Sequence, residues 1–243
     1  MITKSIPSLL TIGNLILGFV ALMLTLSGRT ADAALLIVIG MVLDGLDGRV
    51  ARWLHAESNF GKELDSLSDI VTFGVAPAFI MYESMLQFEG FTGAFIAILF
   101  PVAGALRLAR FNVQKSSTKY FVGLPITAAG GILATMALYQ NLIQQSSTVL
   151  PIAMVVLAVL MVSRVRYPNF KRVAFPRSAI VMVPLLAVLV YVVFRYQHSA
   201  VNRLIFIPLA VYALYGIWRF IRKRRSRMDD EVESQVSNSS TKP

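Results

Sequence analysis

The chain has 243 residues, of which 56% are hydrophobic and only 15% charged, with mean hydropathy +0.66 and a formal net charge of +10. Soluble domains carry about 25% charged residues, so this chain cannot cover a water-facing surface and reads as an integral membrane protein. There is no cysteine, which excludes disulfides, thiolate zinc sites and thiol catalysis.

The predicted elements, in chain order, are eight membrane helices. Helix one covers residues 6–26 and lies within a 24-residue uncharged stretch between Lys4 and Arg29. Its length argues for a retained helix rather than a cleaved leader. Helix two covers 31–54, apolar first and charged in its second half, and helix three covers 64–86. Helix four covers 92–113, helix five 122–143 and helix six 149–163; the polar run from Gln140 to Ser147 separates the last two. Helices seven and eight cover 178–194 and 204–221. The expected organisation is all-α: a six-helix catalytic core over 1–175, two added helices over 176–225 and a disordered polar tail over 226–243.

Basic residues set the orientation. With the N-terminus inside, 20 of the 23 Lys and Arg fall on the cytoplasmic side, leaving Arg29, Arg195 and Arg203 opposite. Both termini are then cytoplasmic. The positive balance reports loop orientation, not nucleic-acid binding. The basic run 222–227 marks the inner end of helix eight, where anionic head groups are a second use.

Carboxylates are costly in membrane helices, about 2.5–3.5 kcal/mol each at a helix centre. Four nevertheless gather near the inner ends of two consecutive helices. Asp44 and Asp47 are spaced i, i+3, and Asp65 and Asp69 are spaced i, i+4, so each pair shares a helical face. Such a quartet resists ionisation without a cation. Its hard oxygen donors suit Mg²⁺ or Mn²⁺, with Ca²⁺ a third candidate. A metal pair would clamp a diphosphate. Gly45 and Gly48 allow close approach of a ligand, Arg52 suits a phosphate oxygen, and Gly61 lies one turn before Asp65. The plainer alternatives are solvated aspartates paired with Arg49 and Arg52, and a glycine-rich packing face. His55 reads as a polar loop residue.

The stretch Asp44-Gly-Leu-Asp47-Gly48-Arg-Val-Ala51-Arg52, eight residues, then Gly61-Lys-Glu-Leu-Asp65-Ser-Leu-Ser-Asp69 resembles the signature of the CDP-alcohol phosphotransferases. Further stretches resemble its serine-using branch, which makes phosphatidylserine from CDP-diacylglycerol. They are Pro7 to Asn14, Asp69 to Ala78, Arg107 to Asn112, and Phe121 to Pro125. The resemblance implies transfer of a phosphatidyl group from CDP-diacylglycerol to L-serine with release of CMP, at the inner face of the cell membrane. It implies that Asp44, Asp47 and Asp65 hold a metal pair, with Asp69 joining the second metal and acting as general base. Asn14, Gly45, Gly48, Ala51, Arg52 and Gly61 would lie near the CDP-lipid. Homodimers are typical of the family.

A zwitterionic acceptor needs a cation for its carboxylate, and Arg offers a bidentate fork. Arg107 and Arg110, with Asn112 behind them, are the acceptor-binding candidates; the alternative is that they anchor the inner membrane face. Two rival functions stay open at this level. One is the same reaction with glycerol 3-phosphate or an inositol phosphate as acceptor. The other is a cation transporter built on the carboxylates.

Overall fold

The computed structural model describes residues 2–113, 120–137 and 149–168, with three single positions at Val211, Tyr215 and Trp218. The expected helices seven and eight, apart from those positions, and the polar tail lie outside the described residues. So do the basic run 222–227 and the polar separator at 140–147.

Helix α1 runs Ile2–Leu26 and α2 runs Thr30–Trp53. They are joined by a short turn in which Gly28 takes φ 75°, a conformation a Cβ disfavours. The chain leaves α2 through His55, at φ 49°. The Ala56 N–H bonds Ala51 O at 2.9 Å and the His55 N–H bonds Arg52 O at 3.3 Å, the pattern that closes a helix through a left-handed residue. His55 is thus an exposed helix terminator.

Helix α3 runs Asn59–Asp69, a π turn runs Ile70–Val75, and α4 runs Ala76–Ser84. The sequence suggests a start near Leu64, but the helix begins earlier because Ser58 caps it: its Oγ accepts from Gly61 N–H at 2.9 Å. A 3₁₀ turn at Leu86–Glu89 leads into α5, Gly90–Val113. After it come β1 (Tyr120–Val122), α6 (Ile126–Ala137), α7 (Val149–Val162) and β2 (Arg166–Pro168).

Among the described residues the architecture is helical except for one two-stranded ribbon, which the sequence reading lacks. β1 and β2 pair antiparallel, with Tyr120 opposite Pro168 and Val122 opposite Arg166. The expected start of helix five at Val122 is therefore corrected to Ile126. Residues 120–122 bond across to β2, and Gly123 at φ 82° turns the chain away before Pro125.

Among the described residues, three helices are long and apolar enough to cross a membrane: Ile6–Leu26, Asn59–Ser84 and Leu86–Val113. α2 is not among them, its second half carrying Asp44, Asp47, Arg49 and Arg52. The described parts of α6 and α7 are shorter apolar helices.

Packing explains the order of the bundle. Among apolar helices in lipid, association depends on close contact rather than on hydrophobic transfer. α1 and α2 meet through small residues: Ala21, Ala33 and Ala34 are fully buried. The interior is completed by Phe73, Ile80, Phe100, Leu133, Met154 and Met161. α1 leaves Leu9, Ile16, Phe19, Met23 and Leu26 exposed along one side, an apolar stripe suited to acyl chains.

Candidate active site

Three of the four expected carboxylates converge. Asp44 and Asp47 of α2 and Asp65 of α3 each bring an oxygen within 4.8 Å of the other two. The short connection between α2 and α3 makes this possible, since it reverses the chain and sets the two acidic faces opposite each other. Asp47 is buried, and Asp44 and Asp65 are half-buried. At that spacing, two ionised carboxylates repel by roughly 3–4 kcal/mol at an effective dielectric of about 20. A divalent cation removes that cost, and an all-oxygen donor set fits Mg²⁺, Mn²⁺ or Ca²⁺. Asp69, one turn beyond Asp65 on the same face of α3, is buried and stands outside the set of three.

Two hydroxyls bond to the cluster; Thr11 lies in the stretch Pro7 to Asn14, but the sequence reading assigns neither hydroxyl a role. Thr11 of α1, itself buried, donates from Oγ1 to Asp47 Oδ2 at 2.8 Å. Thr127 of α6 donates to Asp44 Oδ2 at 3.4 Å. Ser68 Oγ donates to the Thr11 carbonyl at 3.1 Å, tying α3 to α1 beside the site. The available signal was a polar residue inside an apolar helix, at Thr11, three positions before Asn14.

The glycines and arginine of the signature form the outer margin. Gly45 is exposed, and a Cβ there would meet nothing within 4 Å. A Cβ on Gly48 would lie 3.6 Å from Arg52 Nη1, so the exposed Arg52 guanidinium folds back over that glycine. Ala51 is half-buried on the same helix. Gly61 has a local explanation: a Cβ would come 3.1 Å from the capping Ser58 Oγ. Asn14 is fully enclosed, its side-chain oxygen packed where a Cβ on Gly40 would be.

The acceptor candidates divide. Arg107 is buried (7% exposed), with its guanidinium carbon 5.8 Å from the centre of the Phe111 ring. Arg110 Nη1 donates to Val162 O at 2.9 Å, capping the C-terminus of α7. Asn112 is exposed and donates to Ser66 Oγ at 3.0 Å and Glu63 Oε2 at 3.4 Å, bracing α5 against α3.

The family model described as CDP-alcohol phosphatidyltransferase matches residues 4–163. The chain is 38% identical over 221 residues to a CDP-diacylglycerol–serine O-phosphatidyltransferase of Helicobacter pylori (strain J99), covering 88% of this chain and 90% of that protein. It is 41% identical over 167 residues to the protein of that name from Bacillus subtilis (strain 168), covering 69% of this chain and 92% of the relative. An archaetidylserine synthase of Methanothermobacter thermautotrophicus is 35% identical over 170 residues, covering 68% of this chain and 70% of that protein. The match runs through the helices that bring Asp44, Asp47 and Asp65 together, and on that ground the chain belongs to the CDP-alcohol phosphatidyltransferase family.

Proposed function

We propose that this protein moves the phosphatidyl group of CDP-diacylglycerol onto the hydroxyl of L-serine, releasing CMP and forming phosphatidylserine. The observation that carries the reading is the convergence of Asp44, Asp47 and Asp65 at the α2–α3 corner. Serine recurs in the names of the relatives while the lipid part varies between diacylglycerol and archaetidyl. That constancy favours serine over glycerol 3-phosphate or an inositol phosphate as acceptor. Family membership displaces the transporter reading.

Asp44, Asp47 and Asp65 would hold the divalent cation pair, with Asp69 joining the second metal. A bound Mg²⁺ or Mn²⁺ pair supplies positive charge against the diphosphate and the departing CMP. Asp69, on the same face one turn further, takes the proton from the serine hydroxyl. As it does so, the serine oxygen forms a bond to the lipid-bearing phosphorus and the bond from that phosphorus to the CMP oxygen breaks. Arg52, folded over Gly48, neutralises the diphosphate from outside, and the open side of Gly45 lets the nucleotide approach the helix backbone. Arg107 holds the serine carboxylate, a role its burial favours over Arg110, which caps α7. The displacement is direct, with no covalent enzyme intermediate; an isolable phosphatidyl-enzyme would count against it.

The 20-to-3 partition of basic residues supports eight membrane helices, both termini in the cytoplasm and a site opening to the cytoplasmic face of the inner membrane. On this reading residues 176–225 add two helices to a six-helix core, 226–243 form a polar tail, and the protein works as a homodimer. The decisive assay is CMP release from CDP-diacylglycerol with and without serine and divalent metal. Release that needs both supports the function; release indifferent to serine overturns the acceptor. Activity surviving Asp69→Asn would remove Asp69 as the base.

A further inference from the structure

Asp69 is the last residue of α3, and the helix does not continue from it in α form. Residues Ile70–Val75 make a π turn, which the Ala76 N–H closes onto Val71 O. Such a turn accommodates one residue more than an α-helical turn, is rare, and often occurs at functional sites. One added residue re-phases a helix by about 100°, so the turn decides how the carboxylate-bearing α3 is rotated against α4.

Three glycines from three other helices close around this turn. On α1, a Cβ at Gly18 would lie 2.5 Å from Thr72 Oγ1 and 2.9 Å from Thr72 Cα. On α2, a Cβ at Gly40 would lie 2.9 Å from Thr72 Cγ2 and 2.7 Å from Asn14 Oδ1. On α6, a Cβ at Gly130 would lie 2.8 Å from Phe73 Cα and 2.9 Å from Phe73 C. These separations are too short for a real Cβ, and two of the helices press directly on backbone. Thr72, fully buried, adds a hydrogen bond from Oγ1 to the Asn14 carbonyl at 2.9 Å. The contacts grip residues 72 and 73, three and four positions past Asp69.

We propose that Gly18, Gly40, Gly130 and Thr72 are positioning residues that hold the π turn and thereby set the Asp69 carboxylate against Asp44, Asp47 and Asp65. They touch no substrate. Any side chain at Gly130 displaces the Phe73 backbone, and the readiest relief is to shift the extra residue out of the turn, which rotates Asp69 away from the other carboxylates. The inference rests on the role given to Asp69 above.

The test uses the full-length protein in lipid nanodiscs, titrated with Mn²⁺ alone and read by electron paramagnetic resonance, alongside thermal unfolding. Gly130→Ala and Thr72→Val should raise the Mn²⁺ midpoint by about tenfold or more, the scale of changes that disturb the supports of a metal site. Thr72→Ser, which keeps the hydroxyl, should restore it. Gly13→Ala, whose Cβ would meet only Leu43 Cδ1 at 3.9 Å, should match the wild type. If Gly130→Ala does not fold, the Thr72 pair decides. Folded Thr72→Val with a wild-type midpoint and a lowered unfolding temperature would overturn the inference, leaving Thr72 a structural residue only. Asp69→Asn is run in parallel. If it changes neither Mn²⁺ binding nor CMP release, the role of Asp69 falls; if it changes them and Thr72→Val does not, the glycine socket alone falls.

Discussion

Thr11 donates its hydroxyl to Asp47 at 2.8 Å across the α1–α2 interface, inside the protein. Asp47 therefore presents its remaining lone pairs in a fixed direction. Thr11→Val keeps the shape and removes the donor. The expected result is a loss of roughly 10- to 100-fold in divalent-ion affinity, as for other outer partners of metal ligands, with Thr11→Ser close to wild type. Mn²⁺ titration checks it, and unchanged affinity in Thr11→Val would show the bond to be incidental.

The carboxylates themselves should be less tolerant. Asp44→Asn, Asp47→Asn and Asp65→Asn each remove charge from a set whose oxygens lie within 4.8 Å of one another. CMP release should fall roughly 10²- to 10³-fold in each, the usual scale for losing an electrostatic contact to the transition state. Asparagine in place of Asp also relieves repulsion, so the apo variants should unfold at or above the wild-type temperature. Parallel loss of activity and stability would instead indicate a folding defect.

Metal removal gives a direct check on the donor set. Exhaustive chelation should abolish CMP release, and Mg²⁺ or Mn²⁺ should restore it, because both accept carboxylate oxygens. Full activity after chelation would contradict the use assigned to the acidic cluster.

Arg107 and Arg110 should separate on substitution. Arg107→Lys loses the planar fork and should raise the serine KM by about 10- to 100-fold, corresponding to roughly 1.5–3 kcal/mol for a hydrogen-bonded charge, while the CDP-diacylglycerol KM moves little. Arg110→Met breaks the bond to Val162 O and should lower the unfolding temperature, with a smaller effect on the serine KM. Steady-state kinetics with each substrate varied, plus thermal unfolding, tests the pair; equal KM effects on both substrates would refute the assignment of Arg107.

His55 offers a stability test away from the chemistry. It occupies a left-handed conformation at φ 49°, costing about 1 kcal/mol for a residue with a Cβ. His55→Gly should stabilise the protein by about 0.5–1 kcal/mol, measured by thermal unfolding, without changing CMP release.

Much of the site could be read from spacing. Asp44 and Asp47 at i, i+3 and Asp65 near the start of the next helix predict convergence, because helical phase and a short connection fix where those side chains meet. The helices with apolar periodicity, α1, α5 and α7, fall close to their expected limits for the same reason. What the sequence hides depends on partners far along the chain. Nothing in Ile70–Val75 announces a π turn, which is shaped by Gly18, Gly40 and Gly130 on three other helices. The tie from Arg110 to α7 is equally hidden, since it depends on the carbonyl of Val162, 52 positions beyond Arg110. The start of α6 was misplaced because β1 gains its pairing from β2, more than forty residues downstream.

The ribbon has a topological consequence. Its strands flank the α6–α7 hairpin, and it is continued by Gly123 N–H bonded to Val165 O at 2.8 Å and Leu124 N–H bonded to Leu160 O at 3.1 Å. Entry and exit of that hairpin are stitched together, so the polypeptide must come back to the rim from which it set out. Pro168, where β2 ends, is thereby fixed opposite Tyr120, where β1 begins.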